Sequence, residues 1–302
     1  MKICFITYIW ISCFLICQQH VFSQDLNLDN NTDVSMYLKS DQKYISKLKS
    51  ESGDLWDEIG HHGPAVENLW VGYRIYFDRK AAVDIYSKYQ PRLELKHTKW
   101  YTPKEIQQEG YGIDHYFVGQ TIGAGSIRLW EGDSVKFLDP VIARTALVAK
   151  EGSVSRIDML SEGVPYAGKK IDVLLRLTVF TNCRQARLEA FILSDLPVRL
   201  VTGLNFNNNL KIENDENYLL TWGKHRSGVA LETINVGVGL IYDESDFQQT
   251  IKNKTEYLYV SKPTKYLQTW ITSANEKERT IDTLEKFREH VKHLRNELVV
   301  QW

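Results

Sequence analysis

Short segments in which apolar and polar residues alternate, separated by turns, fill most of the chain between residues 69 and 272. Such alternation is typical of strands that bury one face, because successive side chains point to opposite sides of a sheet. Gly132, Gly152 and Gly163 mark turns between them. This spacing favours an all-β sandwich over repeated βαβ units. The predicted strands are 69–78, 92–96, 115–118, 126–131, 134–138, 143–150, 154–160, 170–181, 187–193, 198–206, 218–223, 228–232, 236–242, 256–260 and 266–272.

The last part of the chain has a different period. Ile281, Leu284, Phe287, Val291 and Leu294 recur at intervals of three and four residues. This stripe predicts an amphipathic helix over residues 275–298 that packs on the sheets. No internal repeat or Pro-rich linker divides the sequence. We therefore predict one catalytic β-sandwich domain over residues 24–302 with this helical tail.

Residues 1–23 have the pattern of a cleavable secretory signal. Lys2 gives a basic start, residues 3–17 are almost wholly apolar, and Ser23 precedes the predicted cut. The apolar run is too short for a stable membrane span. A lipoprotein alternative at Cys17 is disfavoured because Ile16 stands where a small residue is expected. The expected location is the periplasm.

Cysteine content and net charge exclude a disulfide-stabilised domain and a nucleic-acid partner from the expected classes of protein. Cleavage after residue 23 would leave Cys183 alone of the four cysteines, so no intramolecular disulfide is expected. Loss of Lys2 would also leave 36 of the 37 Lys and Arg residues against 38 Asp and Glu residues. A chain with this slightly negative balance lacks the basic surface that nucleic-acid binding requires. No nucleic-acid partner is predicted.

The segment 57–88 carries the first candidate site. His61 and His62 are adjacent on a turn, where at least one imidazole is expected to reach solvent or a cleft and can act as a general base. The alternative is that both histidines only hold the loop. On the predicted strand that follows, one face is apolar and reads as core. The other face carries Asn68, Trp70, Arg74, Tyr76 and Asp78. Aromatic plates beside a guanidinium suit a sugar that bears an acid group.

The segment 110–131 carries a second set of candidates. Asp114, His115 and Tyr116 precede a glycine-rich run, and Arg128 and Trp130 share one face of a predicted strand. No strand-to-helix transition follows the glycines, so a dinucleotide site is not expected.

A third cluster, residues 222–227, contains Lys224, His225 and Arg226. It is typical of a solvated turn, which is the favoured interpretation. The alternative is that its cations neutralise sulfate or carboxylate groups of a substrate.

Histidine spacing gives no sign of a metal site. His61, His62, His97, His115 and His225 show no HxxxH or HxH spacing, and the chain has no CxxC pair. No GxSxG elbow indicates a serine nucleophile either. No metal or other cofactor is predicted.

The sequences HHGPAVENLWVGYRIYFDRKAAVDIYSK and GIDHYFVGQTIGAGSIRLW resemble an exported family without settled function. Its members occur in polysaccharide-utilisation gene clusters of marine and gut bacteria. Within that family the chain most resembles the ulvan oligosaccharide dehydratases. The resemblance implies a mutarotase-like β-sandwich (a supersandwich) and elimination chemistry on uronic-acid oligosaccharides, with or without sulfate. No catalytic assignment is implied.

The expected reaction removes water from a terminal uronic acid of an ulvan-type oligosaccharide and leaves an unsaturated uronate. The alternatives are a polysaccharide lyase that cleaves the chain by β-elimination, a mutarotase or epimerase, and a glycan-binding module without activity. The hypothesis assigns carboxylate binding to Arg74 and Asn68, the base to His62 or His61, the acid to Tyr116 or His115, ring stacking to Trp70 and Tyr76, and further substrate contacts to Arg128 and Trp130.

Overall fold

The structure is a computed structural model and describes residues 31–299. The predicted signal segment, residues 1–23, lies outside these residues, and the domain boundary at residue 24 stays a prediction. Within residues 31–299, no helix is long and apolar enough to cross a membrane.

The described chain is mostly antiparallel strand. The first strands are β1 (Thr32–Ser35), β2 (Tyr37–Leu38), β3 (Lys43–Tyr44), β4 (Lys47–Ser50), β5 (Ala65–Asn68), β6 (Val71–Ile75) and β7 (Val83–Ser87). Two short helices follow, α1 (Leu95–Thr98) and α2 (Lys104–Gln108). The remaining elements are β8 (Arg128–Glu131), β9 (Ser134–Lys136), β10 (Ala143–Glu151), β11 (Val154–Tyr166), β12 (Lys169–Phe180), β13 (Ala186–Ile192), β14 (Leu200–Asn205), β15 (Leu210–Asp215), β16 (Tyr218–Lys224), β17 (Asn235–Ile241), β18 (Phe247–Lys252), β19 (Glu256–Ser261), β20 (Tyr266–Asn275) and α3 (Leu284–Val299).

The strands form two packed layers. One layer is a nine-stranded sheet in the order β15-β16-β17-β20-β13-β12-β11-β10-β4. A four-stranded sheet (β1-β5-β6-β7) and a five-stranded sheet (β18-β19-β14-β8-β9) pack on it as the second layer. The two smaller sheets are joined where Ala124 donates its amide to Val83 and Gly125 donates to Gly203. Alternating apolar side chains from both layers fill the space between them. The predicted β-sandwich is confirmed.

The predicted apolar stripe of the last helix is also confirmed. Phe287, Val291 and Leu294 are buried against β16 and β17. A Cβ added at Gly237 would lie 2.7 Å from the Phe287 ring, so glycine lets the helix approach the sheet closely. The helix begins at Leu284, later than the predicted residue 275. The Thr283 hydroxyl accepts from the Lys286 amide at 3.3 Å and caps it, while the chain before it still belongs to β20 and a turn.

Three predicted strands are wrong, and they cluster around one surface. Residues 92–96 lead into α1, and residues 115–118 and 228–232 have no strand structure. These segments belong to long connections. Leu95 packs on the four-stranded sheet, the Phe117 carbonyl accepts from the Asn205 side chain, and the Leu231 amide donates to the Gln107 side chain. Strands β1 to β5, β7, β15 and β18 were not predicted.

The predicted strand 69–78 is shorter and differently placed. Residues 69 and 70 form a turn between β5 and β6, and β6 lies between β5 and β7. Both of its faces are buried. One face meets the nine-stranded sheet, and a small cluster of Ala65, Tyr86, Leu95 and Trp100 lies over the other. The polar face that the alternation predicts is therefore not a solvated surface.

Candidate functional site

The paired histidines lie on a one-turn 3-10 helix, Gly60–His62, immediately before β5. The His62 carbonyl accepts from the Phe77 amide at 2.9 Å, which fastens the turn beside the end of β6. A Cβ at Gly63 would lie 2.0 Å from the Ile75 carbonyl oxygen, so only glycine permits this approach. The turn therefore has a fixed position relative to Arg74 on β6.

Arg74 forms a buried ion pair in place of the predicted substrate contact. Its Nε and Nη2 donate to Asp84 Oδ2 at 2.9 and 2.5 Å, and the Tyr76 hydroxyl donates to the same oxygen at 2.6 Å. The guanidinium lies 4.2 Å from the Trp100 ring centroid, and Arg74 is 1% exposed. A guanidinium committed in this way cannot present two parallel hydrogen bonds to a substrate carboxylate. The predicted direct role of Arg74 is corrected to a supporting one.

The remaining N–H groups of Arg74 donate to His61, Tyr101 and Asp114, and the last two reach the surface. Nη1 donates to the His61 carbonyl at 2.8 Å and to the Tyr101 hydroxyl at 3.2 Å. Nη2 also donates to Asp114 Oδ2 at 3.1 Å, and Trp100 Nε1 donates to that oxygen at 3.0 Å. Arg74 therefore fixes a phenol and a carboxyl side by side.

Tyr101 and Asp114 line a pocket of about 160 Å³, which we call the Tyr101 pocket. Ser227 Oγ donates to the Asp114 carbonyl at 2.9 Å and joins the two segments that form its walls. Tyr101 and Phe117 are 39% and 54% exposed, so their rings are accessible at the pocket. The lining residues are Tyr101, Asp114, Tyr116, Phe117, Arg226, Ser227, Gly228 and Val229.

The carboxyl group of Asp114 has a raised pKa. Its side chain is 13% exposed. Burial and the neighbouring Asp84 carboxylate raise the pKa of Asp114 to about 8, although Arg74 opposes the shift. The hydrogen bonds that the carboxyl accepts from Trp100 and from the Tyr116 amide favour its charged form, but they do not offset burial and Asp84. Asp114 can therefore donate a proton at neutral pH.

Arg226 supplies an uncompensated positive charge to the same pocket. Its side chain is exposed, and it has no hydrogen bond or ion pair with any residue from 31 to 299. A guanidinium without a partner can donate two parallel hydrogen bonds to a carboxylate or sulfate. The less favoured interpretation of the 222–227 cluster, neutralisation of an anionic ligand, thus fits the position of Arg226.

His62 lies beside the pocket with a defined tautomer. Its Nδ1 lies 2.8 Å from the Trp56 carbonyl oxygen, which can only accept, so Nδ1 carries the proton. Nε2 then has a lone pair and no partner in the described chain. The ring stacks on Trp56 at 3.9 Å and meets the Tyr101 ring at 5.5 Å. Burial lowers the pKa of His62, so the imidazole is neutral at neutral pH and its Nε2 lone pair is free to accept a proton.

The other predicted acid and base residues are turned elsewhere. His61 is 2% exposed, and its Nε2 lies 2.6 Å from Ser35 Oγ. His115 Nε2 lies 2.7 Å from the Tyr89 hydroxyl, away from the Tyr101 pocket. Tyr116 lines the pocket, but its hydroxyl donates to Asn205. Burial lowers the pKa of His61 to about 3 and that of His115 to about 4, so both rings are neutral.

Two predicted substrate-binding residues of the 68–78 segment, Asn68 and Tyr76, are engaged in hydrogen bonds within the protein. Asn68 donates to the carbonyls of Cys183 and Arg184 and accepts from the amides of residues 70 and 71, which uses its whole amide group. Tyr76 is 6% exposed and its hydroxyl is bound to Asp84. Neither can meet a substrate in this arrangement. Trp70 is half-buried and lines a separate pocket.

Arg128 and Trp130 lie on β8, in the five-stranded sheet, and do not join the Tyr101 pocket. Arg128 donates to the carbonyls of Lys80 and Thr121 at 3.2 and 2.7 Å and is 2% exposed. Trp130 is 4% exposed and packs in an apolar cluster with Val201. Their predicted contacts with substrate are corrected to structural roles.

Two aromatic residues of the pocket, Tyr101 and Phe117, are not among the residues that the sequence patterns indicate. Tyr101 and Phe117 lie on irregular connections, where no periodicity distinguishes them from other exposed aromatics. His225 was considered only as a metal ligand or a turn residue. It is 3% exposed, and its ring is tilted by 48° to that of Tyr116 with 4.5 Å between the ring centroids. Its buried Nε2 has no partner in the described chain. Within residues 31–299, no group of three or more His, Cys, Asp or Glu residues is arranged to hold a metal ion.

Fold and site together define a β-sandwich protein with a small pocket of ionisable side chains beside the four-stranded sheet. The profile of the family described as "Domain of unknown function (DUF4861)" matches residues 18–301, so the chain belongs to this family. The resemblance seen in the sequence is thus confirmed at the level of a family of unknown function. A search among curated proteins finds no match.

Solved structures with similar architecture include three carbohydrate-active proteins. A putative kojibiose phosphorylase from human microbiome has 12% identity over 83% of this chain and 35% of that chain, with a TM-score of 0.47. A putative aldose 1-epimerase from Klebsiella pneumoniae subsp. pneumoniae MGH 78578 has 10% identity over 87% and 96%, with a TM-score of 0.39. The heparan sulfate lyase HepC from Pedobacter heparinus has 8% identity over 70% and 33%, with a TM-score of 0.31. The chain spans about a third of the phosphorylase and of the lyase. Because all three TM-scores lie below 0.5, these likenesses carry no argument about its activity.

Proposed function

We propose that this protein is a carbohydrate-active dehydratase that removes water from the terminal uronic acid of an oligosaccharide. One observation carries the proposal: an unpartnered guanidinium, Arg226, and a carboxyl with a raised pKa, Asp114, line the same pocket, and the His62 imidazole lies against its Tyr101 wall. An ulvan-type oligosaccharide is the proposed substrate, on the resemblance of the sequence. Export to the periplasm is part of the proposal and rests on the pattern of residues 1–23.

Elimination from a uronate must overcome the weak acidity of its C5 proton. The carboxylate beside C5 keeps that proton weakly acidic as long as the carboxylate retains its full negative charge. A guanidinium that binds it neutralises the charge and stabilises the enolate-like transition state. Arg226 is suited to this role because it is the cation of the pocket with no protein partner.

Two groups with opposite preferences supply the proton transfers. His62 Nε2 accepts the C5 proton, and its lowered pKa keeps it unprotonated. Asp114 donates a proton to the C4 hydroxyl, which leaves as water. The C5–H and C4–O bonds break, their electrons are redistributed into the C4–C5 double bond and onto the departing oxygen, and no oxidant is required. Environments that move two pKa values in opposite directions are a common way to separate a base from an acid.

The size of the pocket favours a terminal sugar over an internal one. A cavity of about 150 Å³ holds a benzene ring, so the Tyr101 pocket, at about 160 Å³, admits one six-membered ring. The exposed rings of Tyr101 and Phe117 offer flat apolar surfaces for the sugar. A lyase that cleaves within a chain would need an open cleft on both sides of the reacting sugar.

Product analysis separates the candidate reactions. Purified protein is incubated with defined uronate-terminated oligosaccharides, and products are followed by ultraviolet absorbance and mass spectrometry. The proposal predicts a new conjugated double bond and loss of one water with the chain length retained. Shorter chains with the same absorbance would identify a lyase. An unchanged mass would identify an epimerase or a binding module, and either result would contradict the proposal.

A matched pair of variants tests the role of Arg226. Arg226→Met removes the pocket cation, and the catalytic efficiency should fall by about 100-fold or more, as expected for one charged contact made in the transition state. Lys224→Met removes one positive charge from the same segment outside the pocket and should have little effect. Equal losses in both variants would mean that only the general charge of the segment matters.

A further inference from the structure

A second cavity, of about 280 Å³, lies between the end of β7 and the turn that follows β20. We call it the Trp70 pocket. Trp70, Lys88, Tyr89, Glu278 and Arg279 are among the residues that line it. None of them lines the Tyr101 pocket. The dehydration described above assigns no role to this cavity.

The buried charges behind the Trp70 pocket are already neutralised. Lys88 forms an ion pair with Glu67, and its Nζ also donates to the carbonyls of Asn68 and Arg92 at 2.6 and 2.9 Å, so it has no donor to spare. Glu278 binds Arg184 through both carboxylate oxygens, at 3.0 and 2.6 Å. These pairs make the wall of the pocket rigid without giving it a net charge.

Arg279 is the uncompensated charge of this pocket. Its side chain is exposed and makes no hydrogen bond or ion pair with the described residues. A single guanidinium at the edge of an otherwise neutral pocket attracts an anionic group and can bind it through two parallel hydrogen bonds.

Trp70 gives the pocket a fixed flat wall. The indole is half-buried, and the guanidinium of Arg184 lies 5.8 Å from its ring centroid. The Trp70 backbone amide donates to Asn68 Oδ1 at 2.9 Å, which fixes the turn that carries Trp70. A rigid indole that is partly open to solvent provides stacking area for a sugar ring at little entropic cost.

The two pockets adjoin a common segment of chain. The Tyr89 hydroxyl, in the Trp70 pocket, lies 2.7 Å from His115 Nε2. Asp114 and Tyr116, on either side of His115, line the Tyr101 pocket. Residues 114–116 therefore connect the two pockets.

We propose that the Trp70 pocket is a second carbohydrate-binding site, specific for a sugar ring that bears an anionic substituent, either a sulfate ester or a carboxylate. Trp70 stacks on the ring and Arg279 binds the anionic group. This site goes beyond the proposed dehydration, and its ligand binding is independent of turnover.

Calorimetric titration tests the site in an Arg226→Met background, which removes the cation of the Tyr101 pocket. The probes are glucose, glucuronate and glucose 6-sulfate. At least one anionic sugar should bind more tightly than glucose, and the two anionic probes distinguish carboxylate from sulfate. Adding Arg279→Met should weaken the preferred anionic probe by about tenfold or more, the scale of a charge-assisted hydrogen bond, and leave glucose unchanged.

Two further variants make the result decisive. Lys211 is an exposed cation on β15 outside both pockets, so Lys211→Met should leave all affinities unchanged. Trp70→Phe, which keeps an aromatic ring and threatens the fold less than alanine, should weaken anionic and neutral probes alike. The proposal is overturned if no probe binds, if glucose binds as tightly as the anionic sugars, or if Arg279→Met and Lys211→Met behave alike. Since no turnover is measured, these outcomes do not depend on the dehydratase proposal.

Discussion

Arg74 and Asp84 form an ion pair, with 2.5 Å between Nη2 and Oδ2, in which the two side chains are 1% and 0% exposed. The pair lies beneath the Tyr101 pocket, and the same guanidinium also holds Tyr101 and Asp114. A pair this deeply buried acts through the groups that it positions, because neither partner can reach a ligand without leaving the other uncompensated.

Arg74→Met should destabilise the fold. The substitution leaves the Asp84 carboxylate buried without its cation, and the free energy of unfolding should fall by about 3–5 kcal/mol. Urea denaturation measures the change, and Arg226→Met, at an exposed position, should shift stability by no more than about 0.5 kcal/mol. If Arg74→Met unfolds like the wild-type protein, the Arg74–Asp84 pair does not stabilise the fold in the way that its burial predicts.

Activity should depend on pH in a bell-shaped manner with its alkaline limb near pH 8. Asp114 must be protonated to donate, so the rate should fall as pH rises through its pKa of about 8. Asp114→Asn keeps an oxygen that can accept from Arg74 and Trp100 but cannot transfer the proton. We expect this variant to lose about 100-fold or more in rate, and its residual activity should lack the alkaline limb. An unchanged alkaline limb would assign it to another group.

His62→Asn should remove activity while the turn keeps its structure. The asparagine amide nitrogen can take the place of Nδ1 and donate to the Trp56 carbonyl, but no basic nitrogen remains where Nε2 stood. The rate should fall by about 100-fold or more. The lowered pKa of His62 places the acidic limb of the wild-type profile below about pH 6.5, and this limb should vanish in the variant. Thermal unfolding provides the control, and a fully active variant would exclude His62 as the base.

Stability should fall in mild acid because several histidines are buried in their neutral form. Burial lowers the pKa of His225 from 6.5 to about 4, so the unfolded chain binds a proton there that the folded chain does not. The stabilising contribution is complete above about pH 6.5 and is lost as pH falls toward 4, with a slope of about 1.4 kcal/mol per pH unit for one group. His225→Phe should make the fall in stability between pH 6.5 and 4 shallower by about this amount. Chemical denaturation at a series of pH values measures it, and equal slopes would show that His225 is charged in the folded protein.

Several features of the fold could be predicted from local patterns. Strands β10 to β12 alternate between buried and more exposed residues over most of their length, and β10 to β13 pair with their neighbours in sequence, so a period of two identifies them. The stripe from Leu284 to Leu294 likewise predicts the buried face of α3. Alternation fails for β6, because a central strand covered on both sides buries its polar face too.

The candidate site was predicted only in part. The sequence analysis named His62, Asp114 and the cations near residue 226, which belong to the proposed site, but it gave Arg74 the role that we propose for Arg226. Nothing local distinguishes the two arginines. Arg74 meets Asp84 only because β6 pairs with β7, where these two residues stand opposite each other in register.

The amino-acid sequence alone determined the alternation that makes a sandwich and the apolar stripe that attaches the last helix, because both depend on residues a few positions apart. Only the tertiary structure decided which ionisable groups are neutralised and which remain available. That distinction depends on burial and on partners distant in sequence: Asp114 and Ser227 meet across the pocket wall, where their hydrogen bond joins connections from two different parts of the chain. Charge and pKa follow from those contacts, and no local pattern encodes them.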